Sequence, residues 1–200
     1  LNGASGFLPQ AGLQPGTVNL ELLDGQPLAV RVDTRYLPTT PGSDVAANAQ
    51  GLVVDRRWSL VQTDAPAIQK PLDTAGTLLE VNVDQVVEER VQLVNSQNRS
   101  HVAIVIPLAA GMQPLNPRLA TAPPEAKPSS ELTLEPSYIA MLDDRVTYYY
   151  NELPKGSYSF YFRTRATTPG QFTQPAAFAE LMYQQTIRGR SNAARVSVSP

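Results

Sequence analysis

Two hundred residues, 42% of them hydrophobic and 17% charged, supply one large or two small folded domains and exclude disorder throughout. A net charge of −2, with Lys and Arg scattered singly or in pairs, excludes nucleic acid and an anionic membrane surface as partners. The absence of cysteine excludes disulfides, thiolate metal sites, cysteine nucleophiles and thioesters within this chain.

The chain opens on "LNGASGFLPQAGLQPG", without an initiator methionine or a targeting peptide, and reads as a piece of something longer. Eighteen prolines and twelve glycines, spaced out along the chain, cut it into short segments of the kind that β-sandwiches use. Alternating runs begin at Thr17 ("TVNLELL") and Pro27 ("PLAVRV"), joined by the hairpin signal Asp24-Gly25. Small and polar residues in "TTPGSDVAANAQG" then mark a boundary. Residues 1–46 are thus expected to be a strand pair or a junction from a preceding domain, and residues 47–200 the main sandwich.

Further strands are predicted from Gly51 ("GLVVDRRWSLVQ"), Thr77 ("TLLEVNV") and His101 ("HVAIVI"). The segment "VDQVVEERVQLV", residues 83–94, has helical valine spacing, yet valine's stiff side chain favours a strand with a bulge near Glu88-Glu89. The apolar run from His101 to Met112 is shorter than the ~18 to 20 residues of a membrane span and reads as core. From Pro114 to Pro136 the prolines predict a long connection over the surface. Strands from Arg145 ("RVTYYYN") and Ser157 ("SYSFYFRTRA") are expected to form a hairpin through "ELPKGSY", with Tyr158, Phe160 and Phe162 facing the core and Tyr161, Arg163 and Arg165 facing away. A last strand begins at Ala193 ("AARVSVS").

Catalytic chemistry finds little support. The one histidine, His101, starts an apolar strand, and no G-x-S-x-G, G-x-G-x-x-G or Walker pattern occurs. The acidic pairs Glu88-Glu89 and Asp143-Asp144 would point to opposite faces of a strand, and the second reads as a turn. Asn98-Arg99-Ser100 matches a glycosylation sequon, a motif loose enough to arise by chance. Trp58 and Tyr148 to Tyr150 read as core aromatics, with sugar stacking as the alternative. The chain is therefore expected to be a non-enzymatic structural or binding module without cofactor or metal.

The stretch "RTRATTPGQFTQPAAFAELMY", followed by "IRGRS", resembles the C-terminal macroglobulin-like domain of bacterial alpha-2-macroglobulins: a strand ending in Arg-Ala, a T-P-G turn, a proline-rich stretch, E-x-M-Y and R-G-x-S. Upstream, "NAQGLVVDRRWSL", "IPLAAGMQPLNPRL" and "LDDRVTYYYNELPKGSYSFYFR" are similar to other parts of that domain, in the same order. The likeness covers about residues 45–200, with departures at Ile106, Ala109 and Gln113. The structural residues it marks are Pro107, Gly111, Asp144, Arg145, Pro169, Gly170, Glu180, Tyr183 and Arg188.

The resemblance implies an all-β fold: an antiparallel, fibronectin type III-like macroglobulin sandwich with long proline-rich loops and at most a short helix. It further implies a part of a broad-spectrum endopeptidase inhibitor, a protease trap of the bacterial periplasm, cell envelope or medium. Its partners would be other domains of the same chain, above all a thioester-type helical domain held and released, and proteases through the full-length protein. A free-standing adhesin or carbohydrate-binding module is the alternative. Within the marked stretch, Pro169-Gly170 is expected to end the preceding strand and Pro175 to open a short helical turn. Glu180 is then expected to be partly buried and paired with Arg165 or Arg188, with Met182 and Tyr183 packed as a lid on the core edge.

Overall fold

The computed structural model describes residues 40–62 and 65–200. The expected strands at Thr17 and Pro27, with their Asp24-Gly25 turn, lie outside these residues. After a 3-10 turn at Gly42–Asp44 the strands are β1 (Asn48–Gln50), β2 (Leu52–Leu60), β3 (Ile68–Pro71), β4 (Thr77–Asn82), β5 (Val86–Asn95), β6 (Arg99–Pro107) and β7 (Met112–Leu115). A second 3-10 turn at Pro124–Ala126 precedes β8 (Tyr138–Leu142), β9 (Arg145–Leu153), β10 (Gly156–Ala166), β11 (Gly170–Gln174), β12 (Phe178–Leu181), β13 (Gln184–Arg190) and β14 (Ala194–Ser199).

A five-stranded sheet, β3-β2-β5-β10-β7, forms one layer. Period-two alternation sends Leu52, Val54, Trp58 and Leu60 of β2 and Tyr158, Phe160, Phe162 and Ala166 of β10 to one face, where all are buried. A six-stranded sheet, β1-β13-β12-β6-β9-β8, covers one end of that face and a three-stranded sheet, β11-β14-β4, covers the other. Except for the parallel pair β14–β4, the strand pairs are antiparallel. The fold is an all-β antiparallel sandwich.

Two apolar clusters result. Val102, Ile104, Val146, Tyr148 and Tyr150 pack on Phe160 and Leu93 at one end, while Leu79, Val81, Val196 and Val198 pack near Trp58 and Val87 at the other. The covering layer is broken between them: β11 passes into β12 through Pro175–Ala177, and β13 into β14 through Ser191–Ala193. The Ser191 N–H donates to the Ala177 carbonyl at 2.8 Å and the Ser191 hydroxyl accepts the Ala177 N–H at 3.0 Å, tying the two breaks together. Breaking a ladder leaves carbonyls without strand partners in a buried place, and these must be satisfied by side chains. Arg56 Nη1 donates to the Pro175 carbonyl at 3.0 Å and Nη2 to the Pro107 carbonyl at 3.1 Å. Gln174 Nε2 also donates to the Pro107 carbonyl, at 2.8 Å. The fully buried guanidinium is balanced by the fully buried carboxylate of Glu89. Burial pushes the Glu89 carboxyl above the usual carboxylate range, against the opposing pull of Arg56.

Several expectations are corrected. Residues 86–95 form a strand without a bulge, in unbroken register with β2 and β10. Its apparent helical spacing arises because Glu89 occupies an inward position that an apolar residue would ordinarily hold, while Glu88 points outward to Arg163 at 2.9 Å. The "ELPKGSY" connection is no hairpin, for β9 and β10 lie in different sheets. The chain passes from one sheet to the other there through exposed Pro154 and Lys155, with Leu153 and Tyr158 buried on either side, and Asn95 Nδ2 holds the passage by donating to the Leu153 and Pro154 carbonyls at 3.1 and 2.9 Å. Pro114 and Leu115 belong to edge strand β7, where a missing N–H costs no ladder bond. After Pro175 the chain is extended rather than helical, because Phe178–Leu181 is drawn between β13 and β6. Gly51, at φ 89, turns the chain from β1 in one sheet to β2 in the other.

Residues 116–137 run as a strap over the outer side. Thr133 exchanges hydrogen bonds with Ser159 on β10, at 3.3 and 3.0 Å, where that strand lacks a neighbour. Glu88 accepts the Ser129 N–H at 2.7 Å, and Tyr150 donates its hydroxyl to the Leu134 carbonyl at 2.7 Å.

Replacing Arg56 by alanine strands the buried Glu89 and leaves Gln174 as the remaining side-chain donor to the Pro107 and Pro175 carbonyls; we expect a loss of ~3–5 kcal/mol in urea unfolding, with Arg56→Lys recovering only part because an ammonium lacks the guanidinium fork. Burial also raises the pKa of Tyr148 and Tyr150 above that of free tyrosine. Their contribution to stability is therefore complete below the unfolded value of about 10 and is lost as pH rises above it. Absorbance at ultraviolet wavelengths should show these two phenols ionising only as the circular dichroism of the fold disappears; full ionisation of a folded chain would contradict their placement.

Candidate functional site

The residues marked in the sequence do not converge on one point. Pro107 ends β6, and its carbonyl receives Arg56 and Gln174. Gly111 packs against the Phe172 ring, and its carbonyl accepts the Thr167 N–H at 2.8 Å. Asp143-Asp144 form the turn between β8 and β9, and the Asp144 carbonyl accepts the Leu108 N–H at 2.9 Å. Arg145 donates to the Asp144 carboxylate at 2.8 Å, which holds that exposed carboxyl below its usual range. Pro169 and Gly170 carry the chain from β10 in one sheet to β11 in another.

Glu180, Tyr183 and Arg188 share the β12–β13 hairpin. Glu180 is half-buried but has no ion-pair partner among the described residues. Arg188 stands opposite it, yet the register shifts at Glu180/Leu181 and the guanidinium donates to Gln50 Oε1 at 2.9 Å instead. Arg165 belongs to the other sheet, where it pairs with Glu125. The expected lid is also corrected. Met182 and Tyr183 form a two-residue turn and project outward, at 45% and 83% exposure, because Leu181 and Gln184 close the hairpin beneath them.

The setting of this tip was missed by the sequence reading. His101 is exposed, with φ 55, and its carbonyl accepts the Met182 N–H at 2.9 Å. Its ring stands edge-on to Tyr183, 5.2 Å between centroids and 74° between planes. Beside the pair lies an open concavity of about 470 Å³, lined among others by Gln97, Asn98, Gln184, Leu181 and Ile187. Its floor is braced: Arg99 donates to Asn95 Oδ1 at 2.9 Å and to the Gly51 carbonyl at 3.2 Å, and Asn98 Oδ1 accepts the Lys155 N–H at 2.8 Å. No sequence signal marks the site, because His101 and Tyr183 meet only through the pairing of β6 with β12.

Among the described residues, no group of three or more His, Asp and Glu side chains is placed to hold a metal ion. Of the tyrosine run, Tyr148 and Tyr150 are buried, while the half-buried Tyr149 lies beside the exposed Tyr138 at 6.0 Å. The tip offers apolar contact and amide hydrogen bonds, the chemistry of docking.

The sequence model of the bacterial alpha-2-macroglobulin MG10 domain matches residues 51–185, from the Gly51 corner through the Met182-Tyr183 tip. The chain belongs to this family. A curated alpha-2-macroglobulin homolog from Nostoc is 28% identical over 141 residues, covering 69% of this chain and 7% of the relative. The solved alpha-2-macroglobulin of Escherichia coli activated by porcine elastase superposes with a TM-score of 0.60 at 20% identity, over 80% of this chain and 14% of that one. Salmonella alpha-2-macroglobulin reacted with methylamine gives a TM-score of 0.58 at 20% identity, over 80% and 10%. This macroglobulin domain thus spans a small part of far longer multidomain relatives.

Because the tip hangs outside the core, Met182→Ala and Tyr183→Ala should each change unfolding free energy by less than ~0.5 kcal/mol. Gly189→Ala should instead cost ~1–3 kcal/mol or more, since a methyl there would lie 2.1 Å from the Leu52 carbonyl oxygen. Chemical denaturation of the three variants separates the tip from the scaffold.

Proposed function

We propose that this domain is the non-catalytic C-terminal macroglobulin domain of a protease trap of the bacterial periplasm, cell envelope or medium, and that its tip holds a neighbouring thioester-type domain until a protease cuts. The observation that carries the reading is Tyr183: at 83% exposure it is the most exposed large hydrophobic residue described, on a hairpin fixed at its base. An aromatic kept in water on a rigid support is a docking anchor, because rings bury much area at little conformational cost.

Family membership supports the wider setting. Related Escherichia coli structures are described as activated by porcine elastase and by trypsin. A trap that responds to cleavage needs contacts that favour its resting state and are lost in the other state. A tip distinct from the sandwich can release its partner without the domain unfolding.

In the full-length parent, Tyr183→Ala should shift the molecule toward the protease-reacted shape before any cleavage, read by native-gel mobility and small-angle scattering. A variant that keeps the resting shape, and changes it only upon cleavage as the parent does, would overturn the proposal.

A further inference from the structure

We propose that His101 is a positioning residue that holds the Tyr183 ring ready for its partner, and that the partner surface is an apolar socket with an amide-bearing rim; this rests on the docking reading above. Asp84 and His101 are the described non-glycine residues with positive φ. Asp84 lies in the short connection between β4 and β5, where aspartate commonly adopts that conformation. His101 lies inside β6, in the run "SHVAIVI", where a left-handed residue is unfavourable.

The cost is visible in the ladder. Ser100 stands opposite Glu152 and Val102 opposite Tyr150, but His101 pairs with no residue of β9. Its carbonyl turns to the tip and accepts the Met182 N–H. The sandwich gains nothing from an imidazole here: asparagine or glycine would adopt the same backbone more readily. What the imidazole adds is the edge-on contact with Tyr183. A tyrosine on a two-residue turn otherwise divides its time among rotamers, and fixing one in advance removes part of the ordering cost of docking.

The surroundings restrict the partner. Gln97, Asn98 and Gln184 line the adjoining concavity, and Arg99, the basic residue there, has its guanidinium engaged by Asn95 and the Gly51 carbonyl. Those neutral acceptors satisfy donors of Arg99 but leave its positive charge in place, so the concavity disfavours a cationic partner face. The ring and the Met182 thioether fit an apolar socket, and the carboxamides fit backbone or amide groups at its rim.

The test uses His101→Asn, which keeps the left-handed backbone and removes the ring. In the 200-residue chain, selectively labelled Tyr183 should lose its shifted ring resonances and single side-chain rotamer by nuclear magnetic resonance, with the thermal midpoint unchanged. In the full-length parent, the same substitution should speed opening without protease roughly 3- to 10-fold, the range expected for losing one pre-ordered side chain. His101→Asn combined with Tyr183→Ala should open no faster than Tyr183→Ala alone. Unchanged Tyr183 rotamers or an additive double variant would overturn the proposal. If ring order is lost but Tyr183→Ala leaves opening unaffected, the docking reading fails and the His101 contact stands as a local one.

Discussion

The buried pair of Arg56 and Glu89 is the constraint from which the rest of this sandwich can be understood. The covering layer is broken between its two sheets, and the break leaves the carbonyls of Pro107 and Pro175 facing inward. A guanidinium reaches both at once, which a lysine could not do. Once a cation is buried, a counter-charge must be buried with it, and Glu89 supplies one from the neighbouring strand. The solution is imperfect: Glu89 Oε1 lacks a hydrogen-bond partner, and the Trp58 indole, which favours the carboxylate slightly, falls short of hydrogen-bond geometry. Such a pair adds little net stability compared with an apolar core. Here it satisfies the two carbonyls at the place where the layer divides.

The strap solves a second problem, that of free edges. β10 is the longest strand described, and β7 covers only its last part, at Arg163 to Ala166. The remaining edge would invite pairing with another chain. Thr133 occupies it, and the strap is held further by Glu88, Arg163 and the buried Ala126. With the break and this edge satisfied internally, the β12–β13 hairpin stands on a stiff base. The chain therefore combines a scaffold that resists change with a small tip whose residues contribute little to folding.

Much of the fold was legible in the residues. Alternation located β2, β6, β9 and β10, and it assigned the two faces of β10 correctly. The spaced motifs identified the family, because the T-P-G, E-x-M-Y and R-G-x-S pieces keep their order around turns that a sandwich must make. What misled was local pattern without partners. Glu89 broke the alternation of β5 since its partner lies on another strand, and "ELPKGSY" carries a hairpin's turn residues while serving to change sheets. Nothing local in the sequence distinguishes these cases, because they are decided by which strand lies alongside.

By itself, then, the sequence determined the all-β class, the inward faces, the family and the absence of thiol chemistry, since these depend on residue type and near-neighbour spacing. Tertiary structure alone decided that two charged side chains are buried together at a break between sheets, that Glu180 lacks the arginine expected for it, and that Tyr183 stands in water beside His101. Each of those outcomes joins residues distant in sequence, and the free energy of such contacts depends on burial and geometry that spacing along a chain does not encode.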